Sequence, residues 1–292
     1  MATQSRPRRS SERPARGSIT WRGNLTMPFS ARMPRGRFAY WEKHFAPAPM
    51  LRDAWRPVHY VNCADSGPRP GFVRKPVYTI MIDLRHSEAE ILRGFRANTR
   101  NEIARAEREG TSFAVTADYR RFLALYEAAS RHKTLPPVSA DYLDSLGGRL
   151  RVTEAIAGGE TVVTHAYAMD ESIGRVRLFY SASSFREFDR SLQSVAGRAN
   201  RFLHFRDMLH FRAAGFRWYD LGGYEPAGEA VSPDARQVSV FKESFGGKVV
   251  QEASYLSLAQ HLYRQGRQLL LRARAKRAPS AGGPGASARH SV

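Results

Sequence analysis

The sequence predicts an α/β chain of the α+β kind, a mixed sheet flanked by helices, and three observations carry that reading. Leu192, Val195, Ala199, Phe202, Phe205, Leu209 and Ala213 recur every third or fourth position, the apolar stripe of an amphipathic helix, while Gln193, Arg198, Arg201 and Arg212 fall largely elsewhere. Three strand-like runs precede it, Leu150 to Ala157, Thr161 to Met169 and Gly174 to Ser183, the first two joined through Gly158-Gly159 as a hairpin turn would join them. A fourth run follows, Phe216 to Leu221, rich in aromatic residues and closed by Gly222-Gly223. Gly215 supplies the left-handed residue that ends the helix. A helix of roughly 25 residues is about 37 Å long, enough to cross a sheet, so the strands on either side of it are expected to lie side by side.

Composition narrows the setting. A length of 292 residues with 42% hydrophobic content allows one large domain or two small ones, with a core that needs no covalent staples. Cys63 is the only cysteine, which excludes an intramolecular disulfide and a cysteine-based zinc cluster and makes a reducing, cytoplasmic location the expectation. There is no run of 18 apolar residues and no hydrophobic signal core near the start. The formal net charge of +19 divides unevenly: +5 in residues 1–23, +7 in residues 264–292, and only +7 in the long middle. Stretches so poor in apolar residues cannot bury a core, so 1–26 and 279–292 read as disordered basic tails. Arginine supplies 40 of the basic residues and lysine only 6, which draws attention to each lysine, Lys242 among them.

Residues 27–72, rich in Trp and Pro, carry no clear period. Val77 to Leu84 has strand composition, and Ser87 opens a helix in which Glu90 completes a capping box; the apolar positions Ile91, Leu92, Phe95, Thr99, Ile103 and Ala106 carry it to Gly110. Its arginines and glutamates alternate as on a solvated face. Ser112 to Thr116 reads as a short strand, Tyr119 to Arg131 and Ala140 to Gly147 as helices parted by Pro136-Pro137, and Ser257 to about Ala278 as a last helix mixing leucines with arginines. The expected organisation is a reduced N-terminal lobe over 27–110, a transferase-type domain over 111–260, and a basic helix over 261–278.

Four stretches, in order, resemble the Fem-type aminoacyl-tRNA-dependent transferases that build peptidoglycan cross-bridges. They are Ile82-Asp83-Leu84 with the helix Asn98 to Gly110; Tyr126 to Arg131 followed by Ser139-Ala140-Asp141-Tyr142; Tyr219-Asp220-Leu221-Gly222-Gly223; and Phe241-Lys242-Glu243-Ser244-Phe245-Gly246-Gly247. Together they span about residues 77–258. The resemblance implies a GNAT-like fold, and the order of strands, long helix, strand and an expected final hairpin agrees with one. It also implies that charged tRNA donates, that an amine accepts, and that the product is an amide. No cofactor is implied, because the donor ester is already activated. Lys242 matches the lysine that stabilises negative charge on the reacting ester oxygen, and Phe241 matches the aromatic that contacts the donor's terminal nucleotide. The short first lobe departs from the cross-bridge enzymes and suits a smaller acceptor, such as the peptide or amine acceptors of related antibiotic-biosynthesis enzymes, beside a peptidoglycan precursor.

The residues themselves leave other readings open. Lys242 also fits the edge of a hairpin, Phe241 a core position, and Asp220 a cap on backbone N–H groups; Gly222 and Gly223 permit backbone conformations closed to other residues, and Tyr224 follows them at the site's edge. Arg186 and Arg190, ahead of the long helix, are candidate phosphate contacts for the donor. His165 reads as a packed or surface histidine. An acyl-coenzyme A donor is the alternative, although the glycine-rich pyrophosphate loop it favours is missing: Gln193 to Ala199 has one glycine, Gly197, inside the apolar helix. A non-catalytic RNA-binding protein is the second alternative. The last helix is a candidate for docking on its own domain, for tRNA backbone contact, or for peripheral contact with an anionic membrane. No His, Asp or Glu grouping has metal-ligand spacing.

Overall fold

The structure, a computed structural model, describes residues 29–35, 38–131, 137–184, 190–226 and 232–277. The two expected tails, 1–26 and 279–292, and Arg186 lie outside the described residues. Among the described residues ten strands form one mixed sheet: β1 (Phe29–Arg35), β2 (Phe38–His44), β3 (Val58–Cys63), β4 (Phe72–Asp83), β5 (Ser112–Thr116), β6 (Leu150–Ala157), β7 (Glu160–Asp170), β8 (Arg175–Ser183), β9 (Trp218–Tyr224) and β10 (Lys248–Ser257). Across the sheet their order is β1-β2-β3-β10-β4-β9-β8-β7-β6-β5. Neighbours are antiparallel except β2/β3 and β8/β9, which are parallel. The helix α5 (Arg190–Ala213) makes the crossover between β8 and β9, so the expected side-by-side pair is present.

Two faces of the sheet are covered differently. On one, α1 (Glu88–Arg93), α2 (Ala97–Arg108) and α5 pack on Ile80, Ile82, Tyr167, Val176, Tyr219 and Leu221. On the other, α3 (Tyr119–Ser130) and α4 (Ala140–Leu146) pack on Val152, Ala166, Ala168 and Ala182 together with Phe29 and Phe45. Those last two residues come from the far end of the sheet. The sheet therefore curls, and β1 and β2 arch over its second face until the His44 ring lies 5.3 Å from that of Phe179 on β8.

Three expectations change. The helix read from Ser87 to Gly110 is two helices. Its capping box is present, with Glu90 accepting from the Ser87 backbone at 2.8 Å, but the chain breaks at Gly94-Phe95-Arg96. Phe95 is buried against Phe205 and Phe245, the Arg96 N–H donates to the Ser244 carbonyl at 2.9 Å, and Gly94 lies so near Gly246 that a Cβ on Gly246 would meet its carbonyl oxygen. The final hairpin is absent as well: a helix, α6 (Pro233–Glu243), follows β9, and β10 pairs with β3 and β4 instead. Phe241 and Lys242 are thus helical, capped from Ser232 with Pro233 in the first turn. Finally, the unpatterned 27–72 segment holds three strands, and strands from 27–110 and 111–260 share the one sheet. The last helix, α7 (Leu258–Arg277), exposes Leu262, Leu269, Leu270 and Leu271.

Candidate active site

The parallel pair β8/β9 is bonded only from Arg175 opposite Trp218 to Arg177 opposite Asp220, although β8 runs on to Ser183 and β9 to Tyr224. Beyond that point the strands part, and a parting of parallel strands at the centre of a sheet is where an open α/β sheet accepts a ligand. Gly222 sits at the crotch. Its φ of +79° is left-handed, and a Cβ there would lie 2.8 Å from the Leu178 carbonyl oxygen. The same glycine is part of an irregularity between β4 and β9, where Thr79 faces Gly223 and Met81 faces Asp220, so that β9 carries one extra residue. Gly223 differs: a Cβ there would meet no atom within 4 Å, and its φ is not left-handed.

Lys242 closes this fork. Its Nζ donates to the Gly223 carbonyl oxygen at 2.5 Å and lies 3.7 Å from the Cβ position of Gly222. Burial and the charge of Arg177 lower its pKa to about 8, with Asp220 acting the other way. The neighbouring Phe241 points to the α5 side, 5.2 Å from the Phe245 ring and 5.7 Å from that of His204, with the Arg201 guanidinium 5.1 Å from its centroid. It is half-buried, so part of one ring is left for another contact. Tyr224 donates to Glu243 Oε1 at 2.9 Å and ties the end of β9 to α6.

Beneath the fork lies a buried ionic group. Asp220 Oδ1 accepts from the Gly222 N–H at 2.8 Å and from the Thr79 hydroxyl; Oδ2 accepts from Arg177 Nη1 at 2.7 Å and Arg175 Nε at 3.0 Å. Arg175 also donates to Glu252, Nη1 to Oε1 at 2.6 Å, and Glu252 accepts from Asn62 Nδ2 at 2.8 Å. Burial raises the Asp220 pKa, but the two guanidinium groups and the hydrogen bonds overcome it and hold the carboxyl well below its usual range. Asp220 therefore caps a backbone N–H and also fixes Arg177 at the mouth.

Arg177, Arg175 and Glu252 escaped the sequence reading, although Arg175 and Arg177 stand two apart in a strand and so share a face, a signal that was legible. Arg190 begins α5; Arg186 is not described. His165 is fully buried on the opposite face of the sheet. Its ring nitrogens meet Asp207 Oδ2 at 2.8 Å and Asn200 Oδ1 at 2.9 Å, and Tyr167 and Tyr219 continue the chain of bonds to His204. Burial holds the His204 pKa well below that of a free histidine. The Cys63 thiol is buried and its pKa is pushed up by burial, the opposite of an activated thiolate. Among the described residues no group of three or more His, Cys, Asp or Glu side chains has the geometry to hold a metal ion, and no helix is long and apolar enough to cross a membrane.

The fold is a mixed α/β sheet whose central parallel pair, joined by a crossover helix, parts toward one end. Among solved structures, FemX superposes with a TM-score of 0.53 at 14% identity, over 69% of this chain and 66% of FemX, a little under two thirds of its length. The C-terminal domain of a candidate lysylphosphatidylglycerol synthetase from Agrobacterium fabrum superposes with a TM-score of 0.52 at 15% identity, over 85% of this chain and 86% of that domain. A GCN5-related N-acetyltransferase from Kribbella flavida reaches a TM-score of 0.40 at 13% identity, over 82% of this chain and 91% of that one. At such identities the likeness is one of fold. No protein-family profile and no curated protein matches the sequence.

Proposed function

We propose that this chain is an aminoacyltransferase that moves an amino acid from charged tRNA to an amine of a small peptide, natural product or peptidoglycan precursor. The observation that carries the reading is the placement of Lys242, a half-buried ammonium that closes the fork between β8 and β9. The Fem-type sequence resemblance and the FemX-like fold support the same reading.

The acceptor nitrogen attacks the carbonyl carbon of the aminoacyl ester. Negative charge grows on the carbonyl oxygen, and Lys242, already oriented by the Gly223 carbonyl, stabilises it. The C–N bond forms, the C–O bond to the tRNA ribose breaks, and the proton lost by the amine leaves with the ribose oxygen or to water. A fixed cation in a half-buried site stabilises that charge without reorganising during the reaction. Phe241, stacked under Arg201, offers an aromatic face for the donor's terminal base. Arg186 and Arg190 precede and begin the crossover helix and serve as phosphate contacts. Residues 27–110 supply the acceptor side, 111–260 the transfer side, and the exposed leucines of the basic 261–278 helix a peripheral contact with an anionic membrane.

Binding of one charged tRNA, its uncharged form and acetyl-coenzyme A to the purified full chain at near-physiological salt tests the donor. A preference for the charged tRNA is expected. Tight coenzyme binding with indifference to tRNA aminoacylation would replace this reading by an acyl-coenzyme A-dependent N-acyltransferase, and RNA binding without turnover by a non-catalytic module.

A further inference from the structure

The arch of β1 and β2 brings His44 against Phe179 of β8, and with it the Glu42 carboxylate two residues earlier on the same strand face. On β2, Tyr40, Glu42 and His44 alternate with Trp41 and Lys43 and so share one face. Opposite them, β8 contains an irregularity: Ala166 pairs with Tyr180 and Tyr167 with Leu178, which leaves Phe179 as an extra residue. Both Phe179 and Tyr180 consequently pack on the α3/α4 side instead of alternating. Tyr142 of α4 stacks parallel to Phe179 at 6.4 Å and edge-on to Tyr180 at 6.4 Å. The Glu42 carboxylate thus lies beside aromatic rings brought from two separate elements, α4 and β8.

Among the described residues no lysine or arginine forms an ion pair with that carboxylate. Among the described residues its ion-pair partners are the imidazoles of His59, 3.3 Å from Oε1, and His44, 3.4 Å from Oε2, and the Tyr40 hydroxyl donates to Oε1 at 3.3 Å. His44 is 2% exposed, and its Nε2 is the nitrogen that approaches Glu42 Oε2. Burial lowers the pKa of His44, so its ring is largely neutral near pH 7. Burial alone would raise the Glu42 pKa, yet the two imidazoles hold the carboxyl in its charged form. A charge so enclosed calls for a cation, and aromatic faces beside it favour an organic one. Glu42, His59, Phe179 and Tyr180 each keep part of their surface open to solvent. Arg177, which holds Asp220 beneath the fork, also acts electrostatically on His44 and on Lys242 and so stands between the two sites.

We propose that Glu42, Tyr142 and Tyr180 form the binding site for an organic ammonium group of the acceptor, making the acceptor a basic amine with more than one nitrogen. One ammonium is held at Glu42 while a second, neutral nitrogen reaches the ester at Lys242. This rests on the aminoacyltransferase reading only for the second nitrogen; the box itself is a cation site whatever the donor.

Isothermal titration calorimetry of the full chain with 1,5-diaminopentane, and with propionate as the anionic counterpart, tests it. The diamine is expected to bind and propionate not. Glu42→Gln is expected to weaken the diamine about tenfold or more, a loss of about 1.4 kcal/mol or more, and Tyr180→Leu, which keeps the carboxylate, to weaken it about threefold or more through the lost cation–π contact. Thermal melts establish that each variant is folded, and Tyr180→Leu decides the matter if Glu42→Gln is not. No diamine binding, or binding indifferent to the folded variants, overturns the proposal. Diamine binding that depends on Glu42 in a protein indifferent to charged tRNA keeps the box and overturns the donor instead.

Discussion

Arg175 grips Glu252 with two hydrogen bonds, Nη1 to Oε1 at 2.6 Å and Nη2 to Oε2 at 2.9 Å, and so ties β8 to β10 over the two strands between them. The same guanidinium holds Asp220 and stacks 4.4 Å from the centroid of Phe45. One fully buried side chain therefore joins the arch, the floor and the fork. Arg175→Met leaves the buried Glu252 without its arginine and Asp220 with Arg177 alone, and is expected to cost about 3–5 kcal/mol in denaturant unfolding.

The pH dependence of that assembly has a definite sign. The Asp220 pKa is lower in the folded chain than in the unfolded one, so its contribution is present above the ordinary aspartate value of about 3.9 and is lost as pH falls toward the folded value. An acid-unfolding titration of Asp220→Asn should show a less steep fall of stability below about pH 4 than the parent chain, from a lower starting stability.

Lys242→Ala is expected to lower turnover by about a hundredfold or more, the cost of losing one charge-stabilising donor, while charged-tRNA affinity stays nearly unchanged. Because the Lys242 pKa is lowered to about 8, the transferase activity proposed for the parent chain should fall as pH rises through that value, although the acceptor amine becomes a better nucleophile there. Lys242→Arg, whose charge persists, should abolish the alkaline decline even if its rate is lower. A kcat profile rising smoothly past about pH 9 in the parent would remove the lysine from the mechanism.

Two adjacent glycines should respond unequally. Gly222→Ala sets a methyl group 2.8 Å from a backbone oxygen at a left-handed φ, and strain of this sort costs about 1–3 kcal/mol. It should also displace Lys242 and reduce kcat. Gly223→Ala meets nothing within 4 Å and should leave the melting temperature and kcat close to those of the parent.

Phe241→Leu keeps an apolar side chain against Phe245 and His204 but removes the aromatic face. Charged-tRNA binding should weaken by about 1–3 kcal/mol, the worth of one base–aromatic stack, with a smaller change in stability. Equal loss of both would mark Phe241 as a core residue only.

The sequence by itself determined what periodicity and local chemistry determine. The stripe from Leu192 to Ala213 made the crossover helix, Ser87 and Glu90 the capping box of α1, and Gly158-Gly159 the turn between β6 and β7. The Asp-Leu-Gly-Gly and Phe-Lys words marked where the fork and its lysine lie. Only the tertiary structure decided what those words face. β10 enters the sheet between β3 and β4, a pairing between residues some 170 positions apart that no local pattern encodes. The break at Gly94 follows from the approach of Gly246, a contact equally remote in sequence. Most of all, Glu42 and Arg177 read as ordinary strand charges until the sheet curls. Strand alternation tells which face a side chain takes, whereas the curl, set by packing of Phe29 and Phe45 on α3 and α4, determines which other charges it meets there.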